Sequence, residues 1–238
     1  MIDFHTHILP GMDDGATDAA ESLEMLRLSY QQGVDTVFAT SHFYADEEDP
    51  ATFLKRRAAA YTNLREAYTQ VKDELGQIPA VLPGAEILYF PGMGDCEELK
   101  PLALGTTGLL LIEPPVAPFT ASMLDEMEAV GPNLGLVPVV AHLDRYCRLL
   151  NDYTLFDVLA ERRILVQVNA SFFLHRDTEN FAMKMLQNGM FQFIGSDCHN
   201  TTTRPPSIGA ATDRICEKNY AKELAKLNEV AYNVLKLR

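Results

Sequence analysis

Basic residues are scarce in this sequence. Lysine and arginine number 20 against 33 aspartate and glutamate residues, which gives a net charge of −13. A protein with this charge is repelled by a phosphodiester backbone, so nucleic acid is not expected to be its main partner. The acidic balance is compatible with a protein that collects divalent cations, and equally with an ordinary solvated acidic surface.

Cysteines are few and widely spaced. The four of them form no C-x-x-C pair and no pattern typical of a disulfide framework. This spacing predicts reduced thiols in a cytoplasmic protein. The N-terminus lacks a positive segment followed by an apolar stretch, so a secretory signal is not expected.

Long apolar runs are missing as well. No stretch approaches the ~20 apolar residues of a membrane-spanning helix, so membrane insertion is not expected. The sequence also contains no linker, low-complexity segment or short-period repeat. Because 238 residues suffice for one large core, residues 1–238 are predicted to form a single domain.

Strand-like and helix-like segments alternate along the chain. Apolar and β-branched runs predict strands at 2–7, 36–42, 80–88, 109–113, 136–142, 164–170 and 191–197. Apolar residues at steps of three and four, with capping residues, predict helices at 18–33, 50–75, 95–102, 120–130, 152–163, 178–188, 207–218 and 221–237. This alternation predicts an α/β fold with a parallel sheet.

Side chains that bind metals recur at the ends of these strands. His5 and His7 are one residue apart, so in an extended strand both imidazoles project from the same face. Imidazole is the commonest metal ligand, and carboxylates accompany the histidines here. Asp14 lies in a turn-rich loop, where an aspartate is also typical of the turn itself. The candidate ligands are His5, His7, Asp14, His42, Glu86, Glu113, His142, Asp197 and His199.

The positions of the candidate ligands along the chain favour one arrangement of the parallel strands. They follow most of the predicted strands, and a closed or nearly closed barrel brings the C-terminal ends of its strands together around one site. A barrel therefore explains the convergence better than an open sheet does.

Several local motifs carry a resemblance to the PHP (polymerase and histidinol phosphatase) superfamily, from Asp3 through Pro206. In detail they are similar to the manganese-dependent protein-tyrosine phosphatases of bacterial capsule and exopolysaccharide operons. The resemblance implies a distorted seven-stranded TIM-like (β/α) barrel with three metals. The motifs are Met1–His7, Asp13-Asp14-Gly15, Thr40-Ser41-His42, Gly84-Ala85-Glu86-Ile87, Ala141–Tyr146, Ser196–Asn200 and Arg204-Pro205-Pro206.

The resemblance also implies how the ligands are shared among the ions. One metal would be held by His5, His7, Glu86 and Asp197. Glu86 would bridge to a second metal with Glu113 and His142, although some superfamily members place histidine where Glu113 stands. Asp14, His42 and His199 would hold a third. We expect two to three divalent ions, with manganese favoured and Fe²⁺ or Zn²⁺ open, because mixed imidazole and carboxylate ligands do not choose among them.

The chemistry expected of such a site is phosphate-ester hydrolysis. Close divalent ions make hydroxide available near neutral pH and neutralise phosphoryl oxygens. Arg145 and Arg204 are predicted to clamp the phosphate, because guanidinium binds oxyanions bidentately. The resemblance implies a phosphotyrosine-containing protein as substrate, namely the tail of a bacterial tyrosine autokinase.

Other interpretations remain open at this point. Cys198 and Arg204 have the C-x5-R spacing of cysteine-dependent tyrosine phosphatases, although the loop lacks glycine. A phosphatase of a small metabolite such as histidinol phosphate, a nuclease, or a non-enzymatic metal-binding module would use similar ligands. His175 matches no ligand position and is predicted to be a structural or surface residue.

Overall fold

The computed structural model describes residues 1–236, which form a mixed α/β fold. The strands are β1 (Ile2–Thr6), β2 (Thr36–Ala39), β3 (His42–Phe43), β4 (Ala80–Pro83), β5 (Glu86–Leu88), β6 (Leu109–Glu113), β7 (Val137–Val140), β8 (Leu165–Asn169) and β9 (Phe193–Gly195). The α-helices are α1 (Ala19–Gln31), α2 (Pro50–Leu75), α3 (Ala121–Leu134), α4 (Leu143–Leu150), α5 (Leu155–Glu161), α6 (Glu179–Gln187), α7 (Ile208–Glu217) and α8 (Ala221–Lys236).

The strands form two parallel sheets. One has the order β1-β2-β4, and the other, with the order β3-β5-β6-β7-β8-β9, curls into a half-barrel. An isolated parallel bridge joins Thr6, at the end of β1, to Cys198 beyond β9. The predicted parallel sheet is confirmed, and the carboxyl ends of the strands lie on the same side.

Two predicted strands are each broken in the structure. The predicted strand 36–42 becomes β2 and β3, and the predicted strand 80–88 becomes β4 and β5. The halves pair in different sheets, since β2 pairs with β4 whereas β3 pairs with β5. The second break falls at Gly84, where a Cβ would lie 2.6 Å from a methyl carbon of Leu104. His42 therefore begins β3 and does not end a strand as predicted.

The segment after β7 also differs from the prediction. The predicted helix 152–163 is present as the shorter α5, and an additional helix that was not predicted, α4, precedes it. His142 and Asn151 have φ values of 33° and 51°, and these left-handed residues bound α4 on either side. The predicted helix 95–102 consists of 3-10 turns at Met93–Asp95 and Glu97–Leu102. The bounds of α2 and β6 are confirmed, and the predicted end of the last helix at Leu237 lies outside the described residues.

Apolar side chains cover both faces of the central strand β6. Leu109 and Leu111 pack in one buried cluster with Phe4 and other strand residues, while Leu110 and its neighbours on the opposite face join the larger cluster beneath the helices. Within residues 1–236, no helix combines the length and the apolar character that crossing a bilayer requires.

Candidate metal centre

Four candidate ligands, His5, His7, Glu86 and Asp197, form one group. Nε2 of His5 and Nε2 of His7 lie 3.1 Å and 3.3 Å from Oε2 of Glu86 and 3.1 Å from each other. Oδ1 of Asp197 lies 3.7 Å and 3.6 Å from the same two nitrogens. Both histidines and both carboxylates are buried. The resemblance implied that these four residues share one metal, and the structure brings them together.

Hydrogen bonds to the other ring nitrogen fix the orientation of these histidines. Nδ1 of His5 donates to Oε1 of Gln167 at 3.2 Å, and Nδ1 of His7 donates to Oδ2 of Asp13 at 2.8 Å. Nδ1 of His199 likewise donates to the backbone oxygen of Asp197 at 3.0 Å. When Nδ1 carries the proton, the lone pair on Nε2 is free to bind a metal, and such partners are typical of metal-binding histidines.

A second group includes the other oxygen of Glu86. Nε2 of His142 lies 2.7 Å from Oε1 of Glu86 and 3.5 Å from Oε1 of Glu113. Nδ1 of His42 lies 3.0 Å from Oε2 of Glu86 and 3.9 Å from Glu113. Glu86 thus faces both groups, as a bridging ligand would. The sequence did not place His42 in this group.

A third group is formed at the outer edge of the cluster. Nε2 of His42 and Nε2 of His199 lie 3.5 Å and 3.3 Å from Oδ1 of Asp14. Suitable ligand atoms of these three residues and of His7 all lie within 4.8 Å of one another. The Asp14 side chain is 66% exposed, so this group is the most open of the three. The two nitrogens of His42 face two different groups.

Several buried ligand atoms have no hydrogen-bond partner among the described residues. They include Oε2 of Glu86, Nδ1 of His42 and Nε2 of His199. A buried polar atom without a partner is unfavourable by about 1–3 kcal/mol, and a charged one by more. These atoms converge with other nitrogens and carboxylate oxygens, which is the donor set that divalent transition metals prefer. The residues present therefore fit the implied metals.

The electrostatics of the cluster agree with a site for cations. Burial alone would lower the pKa of His7, but a hydrogen bond to Asp13 and the negative charges of Asp13 and Glu86 raise it to about 10. Burial opposes the same rise in His142, whose pKa reaches about 10 through Glu113 and Glu86. Without metal, protons on these rings balance the buried carboxylates. A bound divalent ion would displace those protons, as it does when metals bind histidine sites.

Backbone geometry at the strand ends aims the ligands. His142 and Asp197 have φ values of 33° and 54°, in the left-handed region that non-glycine residues rarely adopt. Gly195 permits a close approach to the first strand, since a Cβ there would lie 2.4 Å from Cβ of His5. A Cβ on Gly15 would lie 2.5 Å from Cβ of His7. Only glycine fits at these two positions without moving a ligand.

The two predicted phosphate clamps lie at the rim of the cluster. Nη2 of Arg204 lies 2.8 Å from Oδ2 of Asp197, and its Nη1 lies 3.9 Å from Oδ2 of Asp14. Arg145, in the first turns of α4, lies 4.0 Å from Oε1 of Glu113. Both guanidinium groups are partly exposed. An anion approaching the cluster from solvent would meet a positive charge on each of two sides.

Sequence reasoning missed the residues that support the ligands. Besides accepting from His5, Oε1 of Gln167 accepts from the backbone N–H of His142 at 2.7 Å. Nε2 of Gln167 donates to Oδ1 of Asn169 at 3.1 Å, and Nδ2 of Asn169 donates to Oδ2 of Asp197 at the same distance. The sequence does contain an indication of their role, namely two amide side chains, Gln167 and Asn169, in the otherwise apolar strand β8. A buried polar side chain needs a hydrogen-bond partner, so such residues are expected to bond to other polar groups.

The structure does not favour Cys198 as a nucleophile. Its side chain is fully buried, and burial together with the charge of Asp3 raises the pKa of the thiol well above its usual range. A reactive cysteine needs an accessible thiolate, which this environment disfavours. His175 is exposed and lies outside the three groups of ligands.

Comparison with known proteins places this site in a family. Residues 1–234 match the family described as "Capsular polysaccharide synthesis, CpsB/CapC". The chain is 31% identical to the tyrosine-protein phosphatase YwqE of Bacillus subtilis over 234 residues, which cover 94% of this chain and 87% of that protein. It is 30% identical to the tyrosine-protein phosphatase CpsB of Streptococcus pneumoniae, covering 95% and 94% of the two chains.

A solved structure extends the similarity to three dimensions. It is described as belonging to "YwqE from Bacillus subtilis and CpsB from Streptococcus pneumoniae, unique metal-dependent tyrosine phosphatases". It superposes with a TM-score of 0.84 at 27% identity, over 99% of this chain and 94% of that one. The chain therefore belongs to the CpsB/CapC family of capsular polysaccharide synthesis proteins.

Proposed function

We propose that this protein is a metal-dependent protein-tyrosine phosphatase that acts in capsular or exopolysaccharide synthesis. The observation that carries the proposal is the bridging position of Glu86, whose two oxygens face two groups of histidine and carboxylate ligands beneath two arginines. Family membership and the names of the relatives support the same activity. A metal-binding module without enzymatic activity has no need of arginines at the open rim of the cluster.

The proposed ligand sets follow the three groups. His5, His7, Glu86 and Asp197 hold one ion. Glu86, Glu113 and His142 hold a second, and His42 is near enough to take part through Nδ1. Asp14, His42 and His199 hold a third, with His7 close by. We propose two to three divalent ions, with Mn²⁺ as the main candidate and Fe²⁺ or Zn²⁺ as the alternatives.

The residues of the chain bind and orient the phosphate. Divalent ions bound at this centre supply hydroxide near neutral pH and neutralise charge on phosphoryl oxygens. Arg145 and Arg204 hold the phosphate from the solvent side through charge-assisted hydrogen bonds. Asp197 orients the Arg204 guanidinium at 2.8 Å and also faces His5 and His7, so it links the clamp to the metal ligands. A phenolate leaves with a pKa near ~10, so it needs less acid assistance than an alkoxide.

The barrel architecture, the domain organisation, the location of the protein and its substrate are also proposals. We propose a distorted seven-stranded barrel in which β2 and β3 count as one interrupted strand and β4 and β5 as another, a proposal that the strand pairings and the Thr6–Cys198 bridge support. We propose that residues 1–238 form one such domain, that the protein is cytoplasmic, and that its substrate is the phosphotyrosine-containing tail of a bacterial tyrosine kinase.

A substrate panel tests the proposed function. Metal-stripped protein would be restored with Mn²⁺, Fe²⁺ or Zn²⁺ in turn and offered a phosphotyrosine peptide, a phosphoserine peptide and histidinol phosphate. We expect metal-dependent release of phosphate, fastest from the phosphotyrosine peptide. Faster hydrolysis of histidinol phosphate would identify a small-metabolite phosphatase, and activity that survives chelation would contradict a metal-dependent mechanism.

A further inference from the structure

A small polar pocket lies beside the metal centre. Its volume is about 150 Å³, and its lining includes Asp144, Arg145, Arg148, Asn169, Ser171 and His175. Sites that enclose whole small molecules have volumes of at least ~300 Å³. A pocket of this size therefore suits one charged or polar end group and not an entire ligand.

Two residues belong to both the pocket and the edge of the metal centre. Asn169 lines the pocket and donates a hydrogen bond to Asp197 at 3.1 Å. Arg145 lines the pocket and lies 4.0 Å from Glu113. The pocket is therefore adjacent to the metal centre. A substrate whose phosphate lies at the metal centre could place a neighbouring group in this pocket.

The pocket is locally basic on an acidic protein. Arg145 and Arg148 are three residues apart on α4, which places them on neighbouring parts of one helix face. His175 reaches the same pocket from the segment that follows β8. Among residues 1–236, Arg145 makes one long ion pair, with Glu113, whereas Arg148 and His175 make none. On a chain with a net charge of −13, the two arginines beside this pocket form a local patch of positive charge.

The acidic residue in the lining, Asp144, does not neutralise the basic side chains on the side of the pocket that faces solvent. Asp144 is buried, and its Oδ1 accepts a hydrogen bond from the backbone N–H of Asn169 at 2.8 Å. Arg148 and His175 are exposed. The open side of the pocket is therefore lined by donors that an incoming anion can reach.

We propose that this pocket is a subsite for an acidic group of the substrate next to the phosphotyrosine, with Arg148 as its main anchor and His175 as a second donor. The proposal rests on the phosphatase function proposed above. Guanidinium groups bind carboxylates and phosphates through paired hydrogen bonds, so the recognised chemistry is an oxyanion. The subsite gives the enzyme a preference for phosphotyrosine in an acidic sequence context.

Kinetics on matched phosphotyrosine peptides test the subsite. The peptides would carry glutamate, glutamine, phosphoserine or serine at one position on either side of the phosphotyrosine. We expect kcat/KM of the wild-type protein to be roughly fivefold to tenfold higher for glutamate than for glutamine, the size expected of one charge-assisted contact at a partly exposed site. Arg148→Gln should abolish this difference and leave the rate on free phosphotyrosine unchanged. A larger gain with phosphoserine over serine than with glutamate over glutamine would identify phosphate as the preferred source of the oxyanion.

Arg176→Gln is the matched control, because it removes the same charge from an exposed residue next to His175 that does not line the pocket. An equal loss of preference in Arg176→Gln would show that the effect comes from net charge and would overturn the assignment. Equal kcat/KM for glutamate and glutamine peptides in active wild-type protein would also overturn it.

A binding measurement separates failure of the subsite from failure of the proposed function. Fluorescence anisotropy would compare unphosphorylated peptides that carry glutamate or glutamine, which requires no turnover. Tighter binding of the glutamate peptide, lost in Arg148→Gln, would support the subsite even for a protein without phosphatase activity. Equal affinities would overturn it whatever the activity.

Discussion

Asp13 and His7 form a pair in which Oδ2 of the aspartate accepts a hydrogen bond from Nδ1 of the histidine at 2.8 Å. The same carboxylate accepts from the backbone N–H groups of His42 and Gly15 at 2.9 Å and 3.0 Å. Asp13 therefore positions two candidate ligands, His7 through its side chain and His42 through its backbone N–H. These bonds and the neighbouring His7 hold the pKa of Asp13 well below its usual range against the opposing effect of burial.

We expect Asp13→Ala to weaken metal binding by roughly 10–100-fold, the range typical when the partner of a metal-binding histidine is removed. Competition with a chelator of known affinity measures this change. Asp13→Asn keeps an oxygen that can accept from Nδ1 and should retain a larger part of the affinity. Equal affinities in wild-type and Asp13→Ala protein would show that the pair does not support the site.

Glu86 should be the most important single ligand. Its two oxygens face His142 at 2.7 Å and His5 at 3.1 Å, so removal of the side chain affects two groups at once. We predict that purified wild-type protein holds two to three divalent ions and that Glu86→Ala loses more of them than any other single ligand variant. Elemental analysis after growth with manganese measures the content, and Glu66→Ala, at an exposed site on α2, is the control. Less than one ion in folded wild-type protein would contradict the prediction.

The rim arginines should act on turnover and not on metal content. Arg145→Ala and Arg204→Ala should each lower kcat/KM by at least a factor of ~10, because each removes a charge-assisted phosphate contact. Metal analysis on the same preparations checks that the ions are retained, and Arg65→Ala removes an exposed arginine of α2 for comparison. Wild-type kinetics in both rim variants would place these arginines outside the active site.

Substitutions in Asp197-Cys198-His199 distinguish the two tyrosine-phosphatase mechanisms. Cys198 is fully buried, so Cys198→Ser should keep most of the activity. Asp197→Ala and His199→Ala should abolish activity because each removes a proposed metal ligand. The measurements are phosphatase rate and metal content for each variant. An inactive Cys198→Ser protein with its full metal content would favour a cysteine nucleophile instead.

Gly195 should be intolerant of even a methyl group. A Cβ at this position would lie 2.4 Å from Cβ of His5 and 2.8 Å from Nε2 of Gln167, so Gly195→Ala must displace a ligand or its partner. We expect a loss of about 1–3 kcal/mol in the free energy of unfolding, typical of overpacking, together with a lower metal content. Gly131→Ala is the matched control, because its Cβ would meet only the backbone oxygen of Leu136 at 3.8 Å. Equal thermal stability of Gly195→Ala and wild type would contradict the expectation.

The sequence alone determined which candidate ligands the structure would bring together and where the regular elements that depend on local signals lie. The helix bounds Pro50–Leu75 and the strand Leu109–Glu113 follow from side-chain periodicity and from prolines at their ends. Asp18 caps α1 as its sequence context predicts, accepting from the backbone N–H of Glu21. These features depend on neighbours a few residues away, so they can be read from the order of the residues.

Only the tertiary structure decided how the ligands are oriented and shared. The partner of His5 is Gln167, which is 162 residues away, and no local pattern connects the two. The break between β2 and β3 lets the two nitrogens of His42 face different groups, and it arises because the two halves pair in different sheets. The helix α4 is preceded by a left-handed His142, a conformation that local propensity disfavours and that persists only when the surrounding structure holds it. Long-range packing fixed these features because the hydrogen bonds and contacts that stabilise them join residues far apart in the chain.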